Sequence, residues 1–448
     1  MKVVKFGGTS LANGEQIKKV CDIITSDPLR TIAVVSAPGK RNKEDIKVTD
    51  LLIKCAETYI ETGSAKAEMD AVIARYDEIA RELGLSNEIS DIIAEDLNGR
   101  LSGEVTNNAK FMDLLKAAGE DNSAKIVAEY LRSKGYEASY INPKDAGLLL
   151  SDEFGNARVL PESYDNLKSY LSKPGIMVFP GFFGYSAEGD VVTFPRGGSD
   201  ITGSILAAAV KADVYENFTD VDSVYAANPN IIKDPKPIPV FTYREMRELS
   251  YAGFSVLHEE TLEPVYYMKI PVNIRNTNNP TAPGTMIVPE RSSQNGPVVG
   301  IACDKGFCSI YLSKYMMNRE IGFGRKLLSI LEDEGISYEH TPSGIDNISI
   351  ILHEEQLDAN TEERVIKRIK DELNVDHVSI EREQAIAMIV GEGMMHTVGI
   401  ACRATKALAD AGVNIEMINQ GSSEVSIVFG IKSSDSDTAV RALYKEFF

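Results

Sequence analysis

An α/β sandwich on a largely parallel sheet, followed by a duplicated βαββ unit, is the fold class that this 448-residue sequence predicts. Two patterns carry the expectation. From Met1 to about Thr285, short β-rich runs alternate with helical stretches, whereas beyond a Pro-, Ser- and Asn-rich stretch at Pro280–Pro297 the chain repeats itself. The offset is 77 residues: Gly322, Gly335, Glu339, Gly344 and Ser349 align without a gap on Gly399, Gly412, Glu416, Gly421 and Ser426.

The elements follow in order. Val3-Val4 reads as a strand and Leu11–Ile24 as a helix, so Gly7 and Gly8 fall at a strand-to-helix turn where backbone amides can face phosphate oxygens. Thr31–Ala37, Glu137–Ile141, Gly175–Phe179, Val191–Phe194, Ala212–Phe218 and Val272–Asn276 read as further strands. Ser64–Leu101 is a charged helical insertion with Val72, Ile73, Tyr76, Ile79, Ala80 and Leu83 along one face. Phe194-Pro-Arg-Gly-Gly-Ser-Asp200 sets a guanidinium, a hydroxyl and a carboxylate just before a helix at Ile201–Val210, whose amino end attracts anions. In each repeat a helix, Phe323–Glu334 or Ile400–Ala411, precedes two short strands joined by a Gly turn, and helices Asn360–Leu373 and Asp437–Phe448 complete the units.

Composition narrows the function. A formal net charge of -19 repels nucleic acid and anionic membrane, so an anion site must concentrate its positive charge locally, as Lys5 and Arg196 could. With no apolar stretch near the length of a membrane span and no signal-peptide pattern, a cytoplasmic location is expected. Five cysteines with no CxxC pair fit reduced thiols, and the five histidines form no HExxH pair. There is no G-x-x-x-x-G-K-[ST], and Gly391-Glu-Gly-Met-Met-His396 lacks the third glycine of the dinucleotide fingerprint.

Lys5-Phe-Gly-Gly-Thr-Ser10 and Phe194-Pro-Arg-Gly-Gly-Ser-Asp200 together resemble the signatures of the amino-acid kinase family, specifically its aspartate kinases. The paired βαββ units are similar to ACT domains, the segment Gly412–Glu424 especially. The resemblance implies a three-layer α/β/α catalytic domain at residues 1–285, a linker at 286–297, and two ferredoxin-like (βαββαβ) ACT domains at 298–384 and 385–448, a strand near 298–304 belonging to the second. It implies transfer of phosphate from ATP, with Mg2+, to the β-carboxylate of L-aspartate, the entry to lysine, threonine and methionine synthesis. It also implies feedback by lysine, with threonine the less favoured effector, in a homodimer joined through the ACT domains or a tetramer built from two such dimers.

Residue by residue, the resemblance assigns catalysis to Lys5 and Asp200, and ATP to Lys5, Phe6, Gly7, Gly8, Thr9, Ser36, Thr219, Asp220, Tyr225 and Ser255. Thr49, Glu120, Phe182, Arg196, Gly197 and Ser199 match the substrate contacts, with Glu120 facing the α-ammonium and Arg196 forking a carboxylate. Met317, Gly322, Phe323, Ser337, Tyr338 and Glu339 match the effector stretch. A carboxylate nucleophile is already ionised at neutral pH, so this chemistry needs positioning and charge neutralisation rather than a general base. Three positions depart from the family: Pro195 stands for Gly, Asn228 for Asp, and Ser255 for a nucleotide-side Lys that Mg2+ or Lys233 would have to replace. Two rival functions fit part of the same sequence. A glutamate 5-kinase or acetylglutamate kinase is disfavoured by the Phe194–Asp200 segment and the ACT pair, and a catalytically dead ligand sensor by the presence of Lys5, Arg196 and Asp200 together.

Overall fold

The computed structural model describes residues 1–102, 105–254, 257, 259–291 and 296–448. The chain divides into two compact units: Met1–Val224, Pro239–Tyr243 and Ser255–Arg291 form the first, and Tyr225–Ile238, Arg244–Phe254 and Ser292–Phe448 the second.

In the first unit an eight-stranded sheet runs in the order β10-β12-β11-β7-β1-β2-β4-β3. Its strands are β1 (Lys2–Phe6), β2 (Arg30–Val35), β3 (Ala138–Tyr140), β4 (Ile176–Pro180), β7 (Val214–Thr219), β10 (Val240–Thr242), β11 (Val272–Asn276) and β12 (Thr285–Val288). Every pairing is parallel except β11 with β12, as the alternating pattern predicts. A short hairpin, β5 (Phe183–Tyr185) with β6 (Val191–Thr193), lies outside that sheet, and β8 (Val224–Tyr225) pairs with β9 (Pro237–Ile238) in a two-stranded sheet of its own. Strand β12 falls within the Pro280–Pro297 stretch and is a sheet member, not connecting chain.

Strand alternation sorts the two faces. Val4, Phe6, Ala33, Val35, Val178 and Phe218 pack on one side into a core with α1 (Gly14–Thr25), α2 (Val48–Thr62), α3 (Lys66–Leu83), α4 (Asn87–Leu101) and α5 (Asn108–Ser133). Helix α7 (Gly198–Val210) covers the other side, with α6 (Glu162–Tyr170) and α9 (Glu263–Met268) packed on it, while α8 (Tyr243–Tyr251) begins in this unit and continues in the second. Lys5 therefore emerges on the α7 face. The charged insertion is two helices, broken where Gly84 takes the left-handed conformation, and of its predicted face all but the half-buried Ile73 are buried.

A buried ion cluster ties three strands together. Arg30 on β2 forks Glu216 on β7 at 2.7 and 3.1 Å, and Arg275 on β11 donates to the same carboxylate at 2.9 Å. Burial alone would raise Glu216, yet the hydrogen bonds and charges of Arg30, Lys2 and Arg275 outweigh it and hold the carboxyl below its ordinary value. Removing one member strands buried charge, so Arg30→Ala is expected to cost about 3 kcal/mol, read by chemical denaturation.

The second unit is built on one antiparallel sheet in the order β14-β13-β15-β17-β16. Strands β13 (Gly300–Ser313) and β15 (His377–Val390) span both repeats, flanked by β14 (Asn347–His353) on one side and β17 (Ser426–Lys432) with β16 (Met417–Asn419) on the other. The first half of β13 pairs with the last half of β15, so the strand starting at Gly300 serves the second repeat, and register breaks near Gly306 separate the halves. Helices α10 (Phe323–Asp333) and α11 (Ala359–Leu373) close one core around Ile310, Ile350 and Leu327; α12 (Ile400–Asp410) and α13 (Ser436–Phe447) close another around Ala387, Ile389 and Phe429. The repeated glycines have a backbone cause: Gly322 and Gly399 cap α10 and α12 at φ 81° and 93°, and Gly335 and Gly412 follow those helices at 71° and 75°. In the first repeat the strand expected before β14 is reduced to isolated bridges at His340–Ile351 and Ser343–Ile348.

Candidate active site

Ligand-facing residues of a parallel sheet gather at the carboxyl ends of its strands, and Lys5, Gly7, Gly8, Ser36 and Thr219 stand at or just beyond the ends of β1, β2 and β7. Lys5, one residue before the end of β1, lies between Val34 and Asn217 in register. Its Nζ meets Asp200 Oδ1 at 2.5 Å, the side chains being 9% and 15% exposed, so both are largely shielded while still reachable. Asn217 Nδ2 donates to the same Asp200 oxygen at 2.7 Å. Asp200 is thus clamped by two strand-to-helix contacts, leaving it little freedom to turn away from Lys5.

The strand-end loops approach so closely that only glycine fits. The Gly39 amide donates to Gly8 O at 2.8 Å, and a Cβ on Gly39 would lie 2.6 Å from Gly8 C. The Gly7 amide donates to Phe218 O at 3.1 Å, and Lys5 Nζ sits 3.6 Å from where a Gly7 Cβ would be, so the ammonium curls over bare backbone. Thr9 is exposed on the 3-10 turn that follows; Ser36 is half-buried, its amide donating to Phe6 O at 3.2 Å. Thr49 is the second residue of α2, whose Val48 amide donates to Pro38 O at 3.0 Å, bringing that helix start beside the same loop.

Helix α7 begins at Gly198, three residues before the predicted start, because Gly197 takes φ 82° and caps it. Ser199 and Asp200 therefore belong to its first turn, and Arg196 stands exposed just ahead of the cap with no ion-pair partner among the described residues. Phe182 holds φ 76°, rare for a bulky residue and costing on the order of 1–3 kcal/mol unless its surroundings impose it. They do so here: its amide donates to Thr202 Oγ1 at 3.0 Å and its carbonyl accepts from Phe194 N at 2.9 Å.

Glu120, on α5, is 5% exposed, and its Oε2 has no hydrogen-bond partner. Burial pushes its carboxyl up to about 8, against the pull of the Ala37 and Glu120 amides, the Lys5 charge and the Ser199 hydroxyl. The structure thus brings together Lys5, Gly7, Gly8, Ser36, Thr49, Glu120, Phe182, Gly197, Ser199, Asp200 and, at the end of β7, Thr219, which bonds the exposed Asp220 at 3.3 Å. Tyr225 belongs to the second compact unit, and Ser255 lies outside the described residues. Asn217 and Thr202 are not among the site residues that the sequence predicts. A buried amide within the strand Val214–Thr219 was the available signal for Asn217.

Of the effector stretch, Met317 and Phe323 point into the first-repeat core, and Gly322 is the helix cap. Ser337 is held by Gln356 through its amide at 2.9 Å and its hydroxyl at 3.0 Å, Tyr338 is exposed, and Glu339 accepts from Tyr251 Oη with His353 Nε2 at 3.8 Å.

Residues 1–276 match the model of the amino acid kinase family, and residues 388–447 match that of an ACT domain. Over its whole length the chain is 60% identical to aspartokinase 3 of Bacillus subtilis (strain 168), covering 99% of that protein. The chain belongs to the aspartokinase family. It is accordingly a kinase with appended ACT modules. The aspartate kinase of Clostridium acetobutylicum shares 39% identity and a TM-score of 0.87, each chain fully covered. Aspartokinase III of E. coli, solved with lysine and aspartate in its T-state, shares 25% identity and a TM-score of 0.79, with 100% and 99% coverage.

Proposed function

We propose that this chain transfers the γ-phosphoryl group of ATP to the β-carboxylate of L-aspartate, forming 4-phospho-L-aspartate, the first step toward lysine, threonine and methionine. The observation that carries the reading is the buried Glu120, one oxygen unpartnered, under the influence of the Lys5 that Asp200 clamps. An ammonium seated against Glu120 supplies the missing partner, Arg196 forks a carboxylate, and Lys5 offsets charge building on the transferred group. Gly7, Gly8, Thr9 and Ser36 offer backbone and hydroxyl donors to phosphate oxygens, and Thr219 and Asp220 lie on the nucleotide side. Among the described residues no group of three acidic, His or Cys side chains could hold a metal ion, so Mg2+ would arrive on the nucleotide's own phosphates and water.

Hydroxylamine trapping of the acyl phosphate tests this, run with aspartate and with glutamate at saturating Mg-ATP. Hydroxamate with aspartate and little with glutamate is expected; none with either carboxylate would end the reading.

Control by lysine is proposed at the first ACT unit, with Glu339 taking the effector's ammonium. The lysine complex of the E. coli relative supports it. A homodimer is proposed as the sensing form, and Ile321 and Val398, at equivalent places in the two repeats and 97% and 99% exposed, suit apolar contacts with a second copy. Tyr251 occupies one Glu339 oxygen and leaves the other for an ammonium, so Glu339→Ala should raise the lysine concentration for half-inhibition by about tenfold or more, the loss of one charged hydrogen bond. If threonine inhibits and lysine neither inhibits nor shifts the thermal midpoint, the effector is threonine.

A further inference from the structure

Helix α3, in the charged insertion, presents Arg75, Glu78 and Glu82 at i, i+3 and i+7, along one face. Arg75 is 5% exposed, and its guanidinium joins three separate pieces of chain. One Nη donates to Gly39 O at 2.9 Å and to Ala12 O at 3.0 Å, and the other donates to Asp45 Oδ2 at 2.8 Å. Ala12 ends the 3-10 turn Gly8–Leu11 after β1, and Gly39 follows Ser36 in the loop after β2. Glu82 adds a further anchor, accepting from the amide of Gly14 at the start of α1 at 2.6 Å. Gly39 is therefore held from both sides: its amide bonds Gly8 O in the β1 turn, and its carbonyl bonds Arg75.

The sheet does not need this brace, since β1 and β2 pair along their length without it. What it fixes is the gap between the two loops. A single backbone bond, Gly39 to Gly8, leaves the loops free to pivot about it, and Arg75 removes that freedom by fastening Ala12 on one side and Gly39 on the other. We infer that Arg75 is a positioning residue for phosphoryl transfer, setting the separation of the loops after β1 and β2 that receive the moving group. The inference rests on the proposed function, which places phosphate oxygens at Gly7, Gly8, Thr9 and Ser36. A planar guanidinium holds all three acceptors at once, which an ammonium on a flexible stem does not. Displacement by about 1 Å at a reacting centre can cost about 100-fold in rate, so a helix remote from the substrate can govern turnover. Asp45 is also forked by Arg41 at 2.9 and 3.0 Å, so replacing Arg75 leaves that carboxylate paired.

The test uses the full-length chain carrying Arg75→Lys, with kcat and the KM for aspartate and for Mg-ATP measured beside the thermal midpoint. The kcat should fall about 10–100-fold while both KM values stay within about threefold, because the loops close most tightly on the group in transit. Asp45→Ala, which frees one of the three anchors, should lower kcat about three- to tenfold and serves if Arg75→Lys does not fold. Arg30→Ala, at the far end of β2 from these loops, controls for stability: it should lower the midpoint yet leave kcat within about twofold. An unchanged kcat in the loop variants, a rise in the KM for Mg-ATP that accounts for the whole loss, or an equal fall of kcat in Arg30→Ala would overturn the inference. No hydroxamate from the unmodified chain with aspartate would instead overturn the proposed function beneath it.

Discussion

Replacing Lys5 with alanine is expected to lower turnover by about two to three decades while aspartate still binds, because the ammonium acts on charge that develops during transfer rather than on the bound substrate. The site is arranged for this effect. Asp200 and Asn217 hold the side chain at the end of β1 before any substrate arrives, so no reorganisation is required at the moment of transfer. In the variant Asp200 keeps its bond from Asn217 and the surrounding loops keep their Gly8–Gly39 contact, so the fold should survive. Calorimetric titration with aspartate beside a turnover assay separates the alternatives. A collapse of affinity with normal residual turnover would remove Lys5 from the transfer step.

The second large effect is expected at Glu120 and depends on pH. Burial raises this carboxyl from its ordinary value to about 8, so in the empty site the neutral form prevails at pH 7; the stability it confers is full below the unfolded value and is lost as pH rises through about 8. An incoming ammonium favours the charged form. Binding aspartate near pH 7 therefore expels a proton, and the apparent affinity should climb with pH up to about 8 and then level off, until the substrate ammonium itself titrates. Glu120→Gln should raise the KM for aspartate by about 10–100-fold, the worth of a charged hydrogen bond, and flatten that dependence. KM measured between pH 6 and 8.5 for both proteins checks the point, and parallel slopes would show that another group is titrating.

Much of the catalytic unit was legible because it is local. A strand, a Gly pair and a helix in sequence produce the β1 turn without help from distant residues, and the β11 bounds Val272–Asn276 match the predicted run. Distance in sequence hid the rest. Asp200 depends on Asn217, and Asp113 on Thr193 and Gly155, across loops whose closure no periodicity announces. The sequence pattern starts α7 three residues late because Gly198-Ser-Asp200 has poor helix propensity, which the left-handed Gly197 cap overrides. Strand β12 was hidden for the opposite reason: Thr285-Met-Ile-Val288 is a good β run, but it sits among prolines that read as connecting chain. In the second unit the repeat made both halves readable, yet Met317 and Phe323 proved to be core residues of the first repeat, a role that apolar side chains beside a cap fill without any ligand.

Phosphate is expected to reach the β-carboxylate of aspartate while the α-amino group rests on Glu120. Borohydride reduction of the acyl phosphate, followed by chromatographic identification of the alcohol, tests it most directly, since each carboxylate yields a different product. Phosphorylation at the β-carboxylate predicts homoserine. Recovery of 3-amino-4-hydroxybutanoate, the α-carboxylate product, would contradict transfer to the β-carboxylate and end the role assigned to Glu120.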